Sequence, residues 1–338
     1  MKREWYPLMD GLRFVAVFLV LIEHFAQIIG TKIHASFFGV DLFFVISGFL
    51  ITESLFVAQQ GSLKQKLIVF YKKRFLRIFP IYYLLLILAL FYYPPFKEIA
   101  AWAFTYTINY YQYATVQTVP AAFGHLWSLS VEEQFYIFWP IFILLIPRKF
   151  TGYFIVLVFL ISLCWFLYRY DFLGLPGRMY SLAMGGFIAY VKYINSKRFE
   201  EWVKLKLLFA FFVSGIFIYK YISNSVALSL FSFILVYACV INKFPAIVRK
   251  FLQNKTISYL GKISYGIYLY HLPLSVLFTY YIFDPIWLNI DFLKLGFQDL
   301  KYNSWIIKLP LYSVLTFIVA HFSYKYLEIP FLKLKKNL

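Results

Sequence analysis

Apolar residues come in long uninterrupted stretches along this chain, and the charged residues collect in the short segments between them. Ten such stretches, at about 8–28, 36–58, 78–96, 126–146, 152–170, 177–194, 206–222, 226–241, 257–282 and 305–327, predict helices. A backbone surrounded by lipid finds hydrogen-bond partners only within its own segment, which favours the helix. One crossing takes about 20 apolar residues, so 338 residues accommodate roughly ten spans with short loops. The expected fold class is all-α: a polytopic integral membrane helical bundle, with residues 1–338 forming a single transmembrane domain.

Composition sharpens this picture. The chain is 62% hydrophobic, 23% aromatic and only 14% charged, against about 25% charged in ordinary soluble domains, and its mean hydropathy is +0.72. A soluble domain is excluded. The net charge of +18 would point to nucleic acid in a soluble protein, so its distribution matters. With the N-terminus in the cytoplasm, 24 of the 33 basic residues fall in inner segments and eight in outer ones, with Arg13 inside a span. That bias orients the chain with both termini cytoplasmic and removes nucleic acid as a partner. Cys164 and Cys239 both lie in apolar runs and offer neither a disulfide framework nor metal-ligand spacing. The first apolar run contains Glu23 and His24 and lacks a small-residue cleavage site, so it is expected to stay in the mature protein.

Ionisable side chains within spans are costly and mark function by default. Arg13 and His24 are 11 residues apart, which on a helix is three turns plus about 20° and a rise of about 16 Å. They share a face, Arg13 towards the cytoplasm and His24 in the outer half. Glu132 and Glu133 in the fourth span, and Asp41 in the second, fall at a depth similar to His24. One of these carboxylates is expected to orient the imidazole. Gly48 would let a backbone or ligand approach closely, with helix packing as the competing reading. Lys72, Lys73, Arg74 and Arg77 follow on the inner side, and Arg74 and Arg77 would form a two-fork phosphate site on a helix. A basic cytoplasmic rim leading past Arg13 to a histidine about 16 Å further out suits a long ligand with phosphates at one end and a reactive group at the other. Acyl-coenzyme A has that shape.

The same residues resemble the membrane acyltransferase 3 family. The matching stretches are Met9-Asp10-Gly11-Leu12-Arg13 with His24, Phe38-Gly39-Val40-Asp41 running through Ser47-Gly48-Phe49-Leu50, Arg74-Phe75-Leu76-Arg77 with Pro80, Leu126-Trp127-Ser128-Leu129-Ser130-Val131-Glu132-Glu133-Gln134-Phe135-Tyr136, Gly261 through His271, and Glu328-Ile329-Pro330-Phe331. The resemblance implies a ten-helix core in the bacterial cytoplasmic membrane and transfer of acyl groups, commonly acetyl, onto extracytoplasmic glycans. It also implies that His24 is catalytic and that Arg13, Arg74 and Arg77 serve the donor.

The expected reaction draws on acyl-CoA as co-substrate, with no permanently bound cofactor and no metal. His24 is the base, with Glu132 or Glu133 supporting the imidazolium; an acyl-histidine intermediate fits the same residues. Arg13, Arg74, Arg77, Lys73, Asp41, Ser47, Gly48, Trp127, Ser128 and His271 are the expected substrate contacts. Trp127, Ser128 and amides near Gly48 would bind the oxyanion, and His271 would face the acceptor. His125 reads as an interfacial residue. The aromatic segment 97–125 reads as a headgroup-level belt, with stacking on a sugar as the alternative. The partners expected are the lipid bilayer, the acyl-CoA donor and a glycan or lipid-linked saccharide acceptor. The chain ends about ten residues after its last span, so any extracytoplasmic transferase domain is expected on a separate protein. A proton-coupled transporter or flippase is the rival reading, and the absence of an inverted repeat counts against it.

Overall fold

The protein is described by a computed structural model covering residues 6–57, 61–115, 119–194, 214–216, 218, 224–290 and 303–334. Among the described residues there are helices and turns but no strand. The principal helices are α1 (Met9–Phe25), α2 (Ala35–Val57), α3 (Leu63–Tyr92), α4 (Leu126–Leu145), α5 (Arg148–Arg169), α6 (Leu175–Ile194), α7 (Asn224–Val240), α8 (Lys255–Lys262), α9 (Ser264–Phe278) and α10 (Trp305–Ser323). By length and composition six helices can cross a membrane, or seven if α1 and the bent segment after it count as one. α7 is shorter and apolar. Most of the span expected at 206–222 lies outside the described residues.

The chain turns by 114° between α1 and Gln27–Ile33, so His24 sits in the last turn of α1. Two side-chain features fix this corner. Gly30 approaches so near to α1 that a Cβ there would lie 2.2 Å from Glu23 Cα. The Glu23 carboxylate accepts the Ser36 N–H at 2.7 Å, satisfying a free amide in the first turn of α2. Glu23 therefore serves the backbone and leaves His24 to other partners.

α3 begins 15 residues before the apolar stretch read at 78–96. A capping box starts it: Ser62 Oγ accepts the Gln65 N–H at 3.3 Å, and the Gln65 side chain accepts the Ser62 N–H at 2.8 Å. Its 30 residues span about 45 Å, more than the hydrocarbon thickness of about 30 Å. The helix thus carries Arg74 and Arg77 rigidly towards the bundle instead of leaving them in a loop. The expected single helix at 257–282 is broken at Ile263 into α8 and α9.

α1 and α2 form the centre. α2 packs most extensively on α6 and α1, α1 also on α8 and α9, and α9 on α10. Contact between α2 and α6 is backbone to backbone: a Cβ at Gly48 would stand 1.9 Å from Leu182 O, and one at Gly185 2.0 Å from Val45 O. Small residues permit this approach in lipid. Gly48 is a packing glycine, and the expectation that a ligand approaches it is corrected by the Leu182 backbone already there. Gly48→Val is expected to lower stability by about 1–3 kcal/mol through overpacking, read as a reduced thermal midpoint of the detergent-solubilised protein; an unchanged midpoint would contradict the packing.

The described residues of the segment 97–125 fold back onto the bundle. Tyr106 is buried and stacks on Tyr82 at 4.3 Å, Tyr82 and Tyr83 donate to the Ala103 and Phe104 carbonyls, and the Gln134 amide donates to Tyr106 O and Asn109 Oδ1 at 2.7 and 3.0 Å. Trp102, Tyr110 and Tyr113 keep exposed faces.

Candidate active site

A cavity between α1, α2, α3, α4 and α9 is lined by Arg13, Ser47, Arg74, Arg77, Ser128, Glu132, Glu133, Tyr136 and Tyr268, among others. Residues distant in sequence thus converge, and seven of the expected site residues (Arg13, Ser47, Arg74, Arg77, Ser128, Glu132 and Glu133) share this one space. Arg74 and Arg77 reach it because i and i+3 positions on a helix lie on the same side. Arg74 also lies over the Phe70 and Tyr136 rings, at 5.6 and 5.3 Å, which holds its plane in place. Arg13 is 3.5 Å from Asp10, one turn earlier. Glu132 accepts from Ser47 and, at 3.2 Å, from Tyr136. The cavity therefore combines three guanidinium groups with two carboxylates. Lys73 is not on its wall; Lys72 and Arg74 line a neighbouring, mainly apolar cavity beside α3 and α4.

Beyond Tyr268 lies a cluster of imidazoles. The His24 and His271 ring centroids are 5.0 Å apart, His125 and His271 4.8 Å, and Tyr268 and His271 5.4 Å. His24 Nδ1 is 3.0 Å from Val20 O and 3.2 Å from His271 Nε2. His271 Nδ1 is 2.6 Å from Tyr268 O. His125 Nε2 is 3.2 Å from Leu269 O, a carbonyl left without its helical donor because Pro273, four residues on, has no N–H. Tyr268 OH in turn contacts Ser128 Oγ at 2.6 Å and His125 O at 3.2 Å. Tyr268 thus belongs both to the cavity wall and to the imidazole cluster. His24 is the exposed member of the three, whereas His125 and His271 are buried.

Several expected placements change. No carboxylate among the described residues orients His24; a backbone carbonyl and a second histidine do so instead. His271 is fully buried behind His24 and does not face an acceptor. Asp41, expected beside the substrate, is fully buried and forms an ion pair with Arg178 at 3.2 Å, and accepts from Ser181 at 3.2 Å. Trp127 lies against Phe44 and under the Arg178 guanidinium at 5.6 Å, packed away from the cavity. His125 is buried, not interfacial.

Sequence reasoning missed Arg178, which sits at the edge of an apolar run and looks like a loop cation. It also missed Tyr268, whose only signal is its place one turn before His271. Glu53, Tyr6 and Lys192 make a further cluster, with Lys192 3.3 Å from Glu53 and both bonded to Tyr6. Among the described residues no group of His, Cys, Asp or Glu is arranged to hold a metal.

The chain is 27% identical over 375 residues to the peptidoglycan O-acetyltransferase OatA of Listeria monocytogenes, covering 98% of this chain and 56% of that protein. It is 28% identical over 376 residues to the O-acetyltransferase OatA of Staphylococcus aureus, covering 98% of this chain and 58% of that one. The chain therefore spans little more than half the length of these relatives. No solved structure matches it significantly. The Acyltransferase domain family matches residues 6–324, nearly the whole chain and every element of the arginine-lined cavity and the histidine cluster, and the protein belongs to the membrane acyltransferase 3 family.

Proposed function

We propose that this chain is a membrane O-acyltransferase that moves an acyl group, acetyl by analogy with its relatives, from cytoplasmic acyl-CoA to a hydroxyl of an extracytoplasmic saccharide such as peptidoglycan or a lipid-linked glycan. The observation that carries this reading is α1 itself. One unbroken helix holds Arg13 in the arginine-lined cavity and, about 16 Å further along, His24 in its exposed last turn.

Arg74 and Arg77 bind the donor's phosphates, and Arg13 guides the pantetheine arm past Ser47 and Ser128 towards Tyr268. The acceptor hydroxyl reaches His24 from the outer side. Neutral His24 takes the hydroxyl proton as the oxygen attacks the thioester carbonyl; the C–O bond forms, the C–S bond breaks and the CoA thiolate leaves. The imidazolium then returns its proton to the thiolate. That transient positive charge sits in the last turn of α1, where the negative end of the helix dipole favours it. Glu132 and Glu133 balance the arginines, and Glu132 holds Ser47 and Tyr136 in place. The acyl group passes directly to the acceptor or through an extracytoplasmic transferase. No nucleic acid takes part.

Replacing Arg74 and Arg77 together by glutamate is expected to raise the donor KM at least tenfold, since each charge-assisted hydrogen bond contributes about 1.5–3 kcal/mol, and to flatten its dependence on salt. A donor KM and salt dependence like those of the unaltered protein would remove these residues from the donor site.

A further inference from the structure

We propose that His271 is a positioning residue that fixes His24 as the Nδ1–H tautomer and so leaves Nε2 as its basic nitrogen. This rests on the reading of His24 as the base. Tyr268 O only accepts, so His271 Nδ1, at 2.6 Å, carries a proton. No ion pair to His271 exists among the described residues that would hold the ring as a cation, and a neutral ring with Nδ1–H has a bare Nε2. That bare nitrogen is 3.2 Å from His24 Nδ1 and can only accept. Val20 O, at 3.0 Å from the same Nδ1, also only accepts. Both neighbours therefore demand a proton on His24 Nδ1, and the neutral His24 ring then has its lone pair on Nε2.

Two contacts act together because each does a different task. Val20 O belongs to α1 and moves with His24, so it favours the same tautomer only while the ring keeps this plane and does not itself anchor the ring to the bundle. His271 belongs to α9 and is fully buried, with the Phe25 ring 6.2 Å from its own. It fixes the imidazole plane relative to the cavity's end at Tyr268. No protein group among the described residues bonds His24 Nε2, so the nitrogen is open to an acceptor hydroxyl. The role is the one a carboxylate was expected to fill, supplied by a neutral ring that adds no charge to the apolar interior.

Histidine-15N-labelled full-length protein in detergent micelles tests this, with the His24 signals assigned by their loss in His24→Ala. The resting protein is expected to show His24 protonated at Nδ1. His271→Leu, which removes the acceptor, is expected to shift His24 towards the Nε2–H form and lower kcat about 10–100-fold, the scale on which removal of a group orienting a working histidine acts, with donor KM unchanged. His271→Gln, which can return an acceptor, is expected to recover much of kcat and the tautomer. A resting His24 protonated at Nε2 would overturn the proposal without any variant, so a His271→Leu protein that fails to fold leaves it testable. An unshifted tautomer with full kcat in folded His271→Leu would also overturn it. If His24→Ala retains transfer, the base reading itself fails; if His24→Ala is inactive while His271→Leu is unaffected, only the role of His271 fails.

Discussion

Replacing His24 by alanine is expected to lower acyl transfer by about 10²–10⁴-fold, the usual contribution of a positioned acid–base group, while donor binding stays measurable. The expectation comes from geometry. His24 stands at the exposed end of α1, about 16 Å along the helix from Arg13, with Nδ1 engaged by Val20 and His271 and no protein partner on Nε2 among the described residues. Alanine removes the one imidazole of the cluster that an acceptor can reach and leaves the arginine-lined cavity intact, because His24 is not on that wall. Steady-state transfer together with donor-dependent thermal stabilisation separates the two effects. Transfer close to that of the unaltered protein would show that another group takes the proton.

The second large effect concerns stability. Arg178→Met is expected to destabilise the protein by about 3–5 kcal/mol, because it leaves the buried Asp41 carboxylate without its partner. Asp41 and Arg178 are both fully buried and 3.2 Å apart, and the Phe44 and Trp127 rings lie near the guanidinium, so water cannot replace the lost cation. Removing both charges, as in Asp41→Asn with Arg178→Met, is expected to recover most of the loss, since the penalty comes chiefly from an uncompensated buried charge. Thermal unfolding of the two single variants and the double variant gives the coupling directly. Additive losses would show that the pair does not act as a unit. The donor KM of the double variant is expected to be unchanged, because Asp41 lies off the cavity wall.

Asp41 and Arg13 show what the sequence made legible and what it did not. Both stood out for one reason, a charge within an apolar run. For Arg13 and Glu132 that signal, and for Arg74 and Arg77 the i, i+3 spacing within a basic cluster, led to a shared cavity, because helical spacing and depth are local properties that a sequence carries. For Asp41 the partner lies on α6, and Arg178 resembled an outer-loop cation because it sits at the edge of its apolar stretch; pairing across helices is not written in either segment. His24 was expected to lean on a carboxylate at a similar depth. The structure supplies His271 instead, through the packing of α9 on α1, and Pro273 further frees the carbonyl that holds His125. Gly48 was ambiguous between ligand approach and helix packing, and only the position of the Leu182 carbonyl decides for packing. The all-helical membrane architecture was readable because apolar length and charge placement dictate it. Extension of α3 beyond its apolar half was not, since the Ser62–Gln65 cap lies outside the stretch that signalled a span.

If the cavity and the histidine cluster perform acyl chemistry across the bilayer, as opposed to moving a solute through it, donor label must reach an acceptor on the opposite side. Purified protein in sealed vesicles, with labelled acetyl-CoA on the side of the arginine-lined mouth and soluble peptidoglycan fragments on the other, tests it most directly. Alkali-labile label on the fragments and free CoA on the donor side are expected, both lost in His24→Ala. Fragments that cross unmodified, or that stay unlabelled with acetyl-CoA intact, would contradict it.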